Sequence, residues 1–254
     1  MPAVMPNTMR AMTTPVITVA AHKGGVGKTT LAYELAAALG GVLIDLDWDA
    51  GGATRMWGID PLATRRAPLL DALERGPDTP PRPRRRGGQP ALVPSHPDLS
   101  ASRIEQDLVA DCLLGWRRGL AAPVVVDTHP GANALTDGAV AAADVVVVPT
   151  PLGVRELAAL GQGLDELADH RVMVVPTMVP ASPGRRLVEM LEAMTAGRCA
   201  VGPPVSEHRW LRRRRRRSAV VLQANPGVRV RSAADEFRAV ARAVEEMTHE
   251  RAAA

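Results

Sequence analysis

Short apolar runs recur along the chain at residues 15–21 (PVITVAA), 41–46 (GVLIDL), 123–128 (PVVVDT), 144–150 (DVVVVPT) and 171–177 (RVMVVPT), with a briefer one at 91–94. They are too short for helices and nearly continuous in apolar residues, which predicts strands covered on both faces. The stretches between them predict helices over 28–39, 101–118, 132–142, 155–169 and 183–196. A last helix over 232–247 places Phe237, Val240 and Val244 on one face. Strands alternating with helices imply parallel βαβ units with right-handed crossovers. The expectation is one α/β domain over 15–250, built on a mostly parallel twisted sheet with helices on both faces. It follows a loose tail, 1–14, and carries a Pro/Arg/Gly surface loop at 76–90. There is no internal repeat.

At 254 residues and 46% hydrophobic the chain has material for a real core, which excludes bulk disorder. Cys112 and Cys199 stand alone, so neither a disulfide framework nor a cysteine metal site is expected. No apolar window is long enough to span a bilayer, and residues 1–14 do not read as a secretory signal, so a cytoplasmic protein is expected. The six histidines lack metal-ligand spacing and are expected to be ordinary side chains.

The charge is distributed unevenly. Of 31 basic residues only Lys23 and Lys28 are lysines, five positions apart. Arginine is a planar fork and lysine a compact point charge, so two retained lysines mark a site where the fork does not fit. Arg212, Arg213, Arg214, Arg215, Arg216 and Arg217 are consecutive; without them acidic residues outnumber basic ones. A second cluster, Arg82, Arg84, Arg85 and Arg86, lies in the Pro/Gly-rich loop.

Both lysines belong to one motif, Ala21-His22-Lys23-Gly24-Gly25-Val26-Gly27-Lys28-Thr29-Thr30, directly after the first strand and before the first helix. Glycines let backbone N–H groups turn inward around phosphate oxygens, and the helix start adds partial positive charge. This is the setting of a P-loop NTPase: Lys28 reaches the β- and γ-phosphates, the Thr29 hydroxyl holds Mg²⁺, and Thr30 bonds the α-phosphate. Asp45 and Asp47 end the second strand, two apart and so on one face. Asp127 ends the strand VVVD, where it would hold Mg²⁺ through water.

The string KGGVGKTT resembles the deviant Walker A loop of the ParA/MinD superfamily of ATPases. The resemblance extends to Gly58–Leu62, to LVPSHPDL at 92–99, to the 135–149 stretch and to VPTM at 175–178. It implies an ATP-dependent homodimer sandwiching two ATP molecules, with Lys23 crossing to the partner's nucleotide. It assigns Asp47 to the attacking water, Asp45 to support of Mg²⁺, and Met178 and Pro204 to the base by position. Three departures stand out: His22 for the usual first glycine, Trp48-Asp49 for Pro-Gln, and His129 for the first proline of D-T-P-P.

The ParA branch implies a DNA-partitioning ATPase associated with the nucleoid. ATP closes the dimer, non-specific DNA is held, and a ParB-type partner triggers hydrolysis and release. Arg209 and the run Arg212–Arg217 lie where ParA proteins carry DNA-contacting basic residues, and about six neutralised phosphates predict a log K against log salt slope near −5. Only about fourteen residues precede the first strand, too few for a helix-turn-helix. A MinD-like membrane-cycling protein would need a basic amphipathic C-terminal helix, whereas residues 245–252 are acidic to neutral, so no membrane partner is expected. Iron–sulfur reductases, ligases and tyrosine kinases on this scaffold fit less well, because the cysteines and the sole tyrosine, Tyr33, are misplaced. A relative positioning another cargo shares every motif above.

Overall fold

The computed structural model describes residues 14–49, 52–64, 67–213 and 218–253. In chain order it contains β1 (Val16–Val19), α1 (Lys28–Ala38), β2 (Val42–Asp45), α2 (Ala53–Trp57), α3 (Pro68–Arg75), β3 (Ala91–Val93), α4 (Gln106–Leu120) and β4 (Val124–Asp127). There follow α5 (Ala134–Ala141), β5 (Val145–Pro151), α6 (Val154–Glu166), β6 (Val172–Thr177), α7 (Arg185–Thr195), β7 (Ala200–Val201) and α8 (Val228–Ala253). The seven strands form one sheet in the order β3-β2-β4-β1-β5-β6-β7, and every pairing is parallel. This is the expected α/β architecture.

Strand residues alternate between the two faces, as a period of two requires. Ile17, Val19, Leu43, Val125, Val145 and Val147 pack with α1 and α8, where Tyr33, Leu35, Phe237, Val240 and Val244 are buried. Val16, Val42, Ile44, Val124 and Val126 face the opposite layer of α3, α4 and α5, around Trp116 and Leu113. Two carboxylates fix the layers. Glu34 of α1 accepts from the N–H groups of Val220 and Val221, tying α1 to the segment before α8. Asp144 accepts from Val16 N and from Arg117, joining β1 to α4.

Several boundaries differ from expectation for local reasons. The helix expected from 101 begins at Gln106, because residues 97–101 form a 3₁₀ turn opened by Pro97, which lacks a donor. The final helix starts earlier, at Val228, and runs to Ala253. Three elements were not anticipated: α2, too short for a period; α3, despite buried Leu69, Ala72 and Leu73 on one stripe; and the edge strand β7. The tail 1–13 and Arg214–Arg217 lie outside the described residues. No helix among the described residues is long and apolar enough to cross a membrane.

Candidate nucleotide site

β1 lies between β4 and β5, so its C-terminal end opens where the chain connections diverge to the two halves of the sheet, the usual ligand position in such sheets. The loop from β1 to α1 turns on Gly27, whose φ of 100° lies in the left-handed region where a side chain would be strained. No side chain caps α1 and its first turn holds no acid. The first-turn amides and the helix dipole therefore face outward as an anion site. Thr177 Oγ1 donates to Val26 O at 2.8 Å, anchoring the loop to β6.

Lys28 is buried, and burial lowers its pKa while Asp127 and Asp47 raise it. The carboxylates converge because β2 and β4 are neighbours in register, Asp45 opposite Asp127. Asp127 is fully buried and neither oxygen has a hydrogen-bond partner of ordinary geometry. Burial, then Asp45, push its pKa well above the usual carboxylate range, with the Thr29 side chain close enough to oppose this. An orphaned carboxylate beside a threonine hydroxyl suits a hard divalent cation, so the donor set fits Mg²⁺.

Asp45 is engaged differently from expectation. Its carboxylate accepts from Thr54 N and Thr54 Oγ1, both at 2.6 Å, and from Asp47 N at 3.1 Å. It receives the start of α2, and burial raises its pKa to about 7. Asp47 lies just beyond the strand, half-buried, with Oδ1 accepting from Asp49 N at 3.1 Å; burial raises its pKa as well.

The two motif departures beyond Asp47 meet in space. Trp48 and His129 stack at 4.0 Å between ring centroids with 5° between planes. His129 Nε2 lies 3.2 Å from Asp49 Oδ2, and ligand atoms of Asp47, Asp49 and His129 lie within 4.8 Å of one another, near enough to share a cation. His129 is thus part of the site, contrary to the reading of it as an ordinary side chain. His22 is accommodated by α6: it sits over Gly163 and pairs with Glu166 at 3.1 Å.

Lys23 is ion-paired with Glu156 of α6 in its own chain. Both line a cavity of about 340 Å³ between the loop, α5 and α6. On the other side of the loop a cavity of about 210 Å³ is bounded by Thr30, Met56, Thr177, Met178, Ser206 and His208. Met178 holds φ 51°, a strained position, with its methyl beside Gly27. Met178 lines this cavity together with residues of the Val205–Leu211 segment, whereas Pro204 lines a separate depression with Val228, Arg231 and Asp235. Arg209 also lines this cavity and pairs with Glu207 at 3.1 Å, so it lies at this cavity's rim. Arg209–Arg213 is a 3₁₀ turn.

Residues 17–217 match the family described as the CobQ/CobB/MinD/ParA nucleotide binding domain, and the chain belongs to that family. No curated protein matches its sequence. Among solved structures it is similar to the Pyrococcus furiosus cell division ATPase MinD, at 14% identity and TM-score 0.71 over 92% of this chain and 99% of that one. It is also similar to a Borrelia burgdorferi plasmid partition protein, at 19% identity and TM-score 0.64 over 92% and 99%. A third is cobyrinic acid a,c-diamide synthase from Mycobacterium smegmatis with bound ATP analog and magnesium, at 22% identity and TM-score 0.68 over 92% and 94%.

Proposed function

We propose that this protein is a dimerising Mg²⁺-dependent ATPase that partitions DNA. The first-turn amides of α1 and the Lys28 ammonium bind the phosphates, and Thr29 and Asp127 would hold Mg²⁺. Magnesium, when bound, neutralises the charge that develops on the phosphate oxygens. Asp47, half-buried and oriented by Asp49 N, is the group that takes or orders the proton of an attacking water. Met178 and the Val205–Leu211 segment border the base.

One observation carries the reading: the two lysines of a single motif do different work. Lys28 is buried among its own chain's carboxylates, whereas Lys23 is held at the rim in an ion pair whose members are 43% and 25% exposed. A rim lysine with an exchangeable partner is suited to meet a phosphate on a second copy of the chain. Closure then depends on ATP, the closed dimer doubles the arginine-run surface that holds non-specific DNA in the nucleoid, and a ParB-type partner accelerates a slow intrinsic hydrolysis. The reading draws on the plasmid partition protein among its structural neighbours as well as on MinD.

The test is DNA binding and sedimentation with ATP, ADP and no nucleotide. The expected result is a DNA-bound dimer with Mg·ATP alone, lost in Lys23→Ala with ATP affinity largely kept. A monomer that hydrolyses ATP at the wild-type rate and binds DNA regardless of nucleotide would refute it.

A further inference from the structure

Beside the phosphate loop the fold assembles a mixed donor set that phosphate and magnesium binding do not need. Ligand atoms of Asp47, Asp49 and His129 lie within 4.8 Å of one another. Asp49 and His129 are 80 positions apart, so no spacing in the sequence marks the set. Two carboxylates alone would make a solvated acidic corner. The imidazole changes the chemistry: nitrogen–oxygen sets suit zinc-like divalent ions, whereas magnesium prefers oxygen donors throughout.

The surroundings of His129 decide which nitrogen is available. Its Nδ1 lies 2.7 Å from Pro130 O, and a carbonyl oxygen only accepts, so Nδ1 carries the proton and donates. In the neutral ring Nε2 then holds a lone pair. That nitrogen lies 3.2 Å from Asp49 Oδ2, which is itself an acceptor. Two acceptors facing each other need a cation. A proton meets that need for two atoms; a metal ion meets it for three. With bonds of about 2.0–2.2 Å, neighbouring ligands on one ion stand about 3.0–3.4 Å apart, and the Asp49–His129 separation fits. A backbone carbonyl holding the second ring N–H is also how ligating histidines are commonly oriented.

The set is positioned in advance. Trp48 stacks on the His129 ring at 4.0 Å with 5° between planes, and Asp49 N donates to Asp47 Oδ1 at 3.1 Å. Groups already held in place lose little freedom when an ion binds. The Asp49 side chain is 68% exposed, which gives an ion a path from solvent.

We propose that Asp47, Asp49 and His129 form a binding site for a zinc-class divalent ion, separate from the Mg²⁺ position at Thr29 and Asp127, and that its occupancy withdraws Asp47 from the attacking water and slows ATP hydrolysis. The site stands on the side-chain geometry; its effect on turnover rests on the ATPase reading above.

The experiment titrates Zn²⁺ into the nucleotide-free full chain by calorimetry with Mg²⁺ in excess. In parallel, Co²⁺ is followed by quenching of Trp48 emission, isolated by difference against Trp48→Phe. Wild type is compared with His129→Ala, with Asp49→Ala, whose exposed side chain can be removed without touching the core, and with His22→Ala, which removes another histidine paired with an acid. Wild type is expected to bind one Zn²⁺ that excess Mg²⁺ does not displace, and Co²⁺ to quench Trp48. His129→Ala should weaken Zn²⁺ by about 100-fold or more, beyond the roughly 10–100-fold that a supporting hydrogen bond alone is worth. Asp49→Ala should weaken it by about tenfold or more, and His22→Ala should bind as wild type does. Saturating Zn²⁺ should remove most Mg·ATP turnover in wild type but not in His129→Ala, each protein being compared with itself without Zn²⁺. If wild type binds no Zn²⁺ under excess Mg²⁺, or if His129→Ala and Asp49→Ala bind it as tightly as wild type, the site is wrong. Inhibition that persists in His129→Ala would come from zinc-bound nucleotide and would overturn the effect on turnover. A protein that binds Zn²⁺ through both residues but hydrolyses no ATP would sink the ATPase reading and leave the metal site standing.

Discussion

The Lys23 ammonium of the phosphate loop is ion-paired with the Glu156 carboxylate of α6 in the same chain. The contact holds the Glu156 pKa below the ordinary carboxylate value, the Lys23 hydrogen bond being the largest cause. In the dimer proposed above a lysine cannot serve its own glutamate and a partner's phosphate at once, so the pair would compete with closure. Part-exposed ion pairs contribute about 0.2–1 kcal/mol. Glu156→Gln is therefore expected to strengthen ATP-dependent dimerisation by roughly two- to fivefold. Analytical ultracentrifugation with Mg·ATP checks it; unchanged or weaker dimerisation would remove Glu156 as the competitor.

A different trade-off operates at Asp127. Its carboxylate is buried beside Asp45 with no hydrogen-bond partner of ordinary geometry. Such a group is costly in the empty protein and useful only when a cation is present. Asp127→Asn is expected to stabilise the nucleotide-free protein by about 1 kcal/mol near pH 8, or roughly 2–4 °C in melting temperature, while weakening Mg²⁺-dependent ATP binding. Thermal melts with and without Mg·ATP should cross over between wild type and variant. A wild type that is the more stable in both conditions would show that Asp127 has partners in the empty state.

The same carboxylates set a pH dependence. Asp45 titrates near 7, and Asp127 and Asp47 are raised too, chiefly by burial. A folded-state pKa above the unfolded one means that the folded protein holds protons more tightly. The resulting stability is full below the unfolded pKa and is lost as pH rises through the folded pKa. The metal-free protein should therefore lose stability between pH 5 and 7, by at most about 1.4 kcal/mol per pH unit for each carboxyl that stays protonated in the folded state alone. Denaturant melts in EDTA measure this, and Asp45→Asn should flatten the curve. A flat wild-type profile would mean that the cluster is ionised without cost.

How much of this was legible in the sequence depends on the kind of signal. Apolar runs located six of the seven strands, because burial on both faces demands continuous Val and Ile. Glycine spacing located the phosphate loop, because only those backbone angles turn its amides inward. Two-residue β7 and five-residue α2 left no period to read. Met178 sits one residue past β6 and lines the cavity beside Gly27, but Pro204 and Val205 are adjacent in sequence and only the fold decides which of them lines that cavity. Gly138 is explained only by packing, since a Cβ there would lie 2.3 Å from Gln106 O of α4. The Asp45–Thr54 bonds and the Gly88–Ala219 contact are tertiary pairings with no local signature.

Trp48 and His129 were each odd substitutions in the sequence, and their stacking makes them one feature. The stack links the loop after β2 to the loop after β4. Through Asp49, which contacts His129 by its side chain and Asp47 by its N–H, it fixes the Asp47 carboxylate. The proline rigidity of the usual motif is thus replaced by an aromatic clip. Removing the ring leaves Asp47 chemically intact but less well held, and small misplacements of a reacting group can cost up to about 10² in rate. His129→Ala is expected to lower ATP turnover by about tenfold while leaving nucleotide affinity nearly unchanged, because Lys28 and the α1 amides are untouched. Trp48 emission, isolated by difference against Trp48→Phe, should brighten in His129→Ala as the stacked imidazole is removed. Turnover that stays at wild-type level while the emission changes would show that the clip is present but that Asp47 does not depend on it.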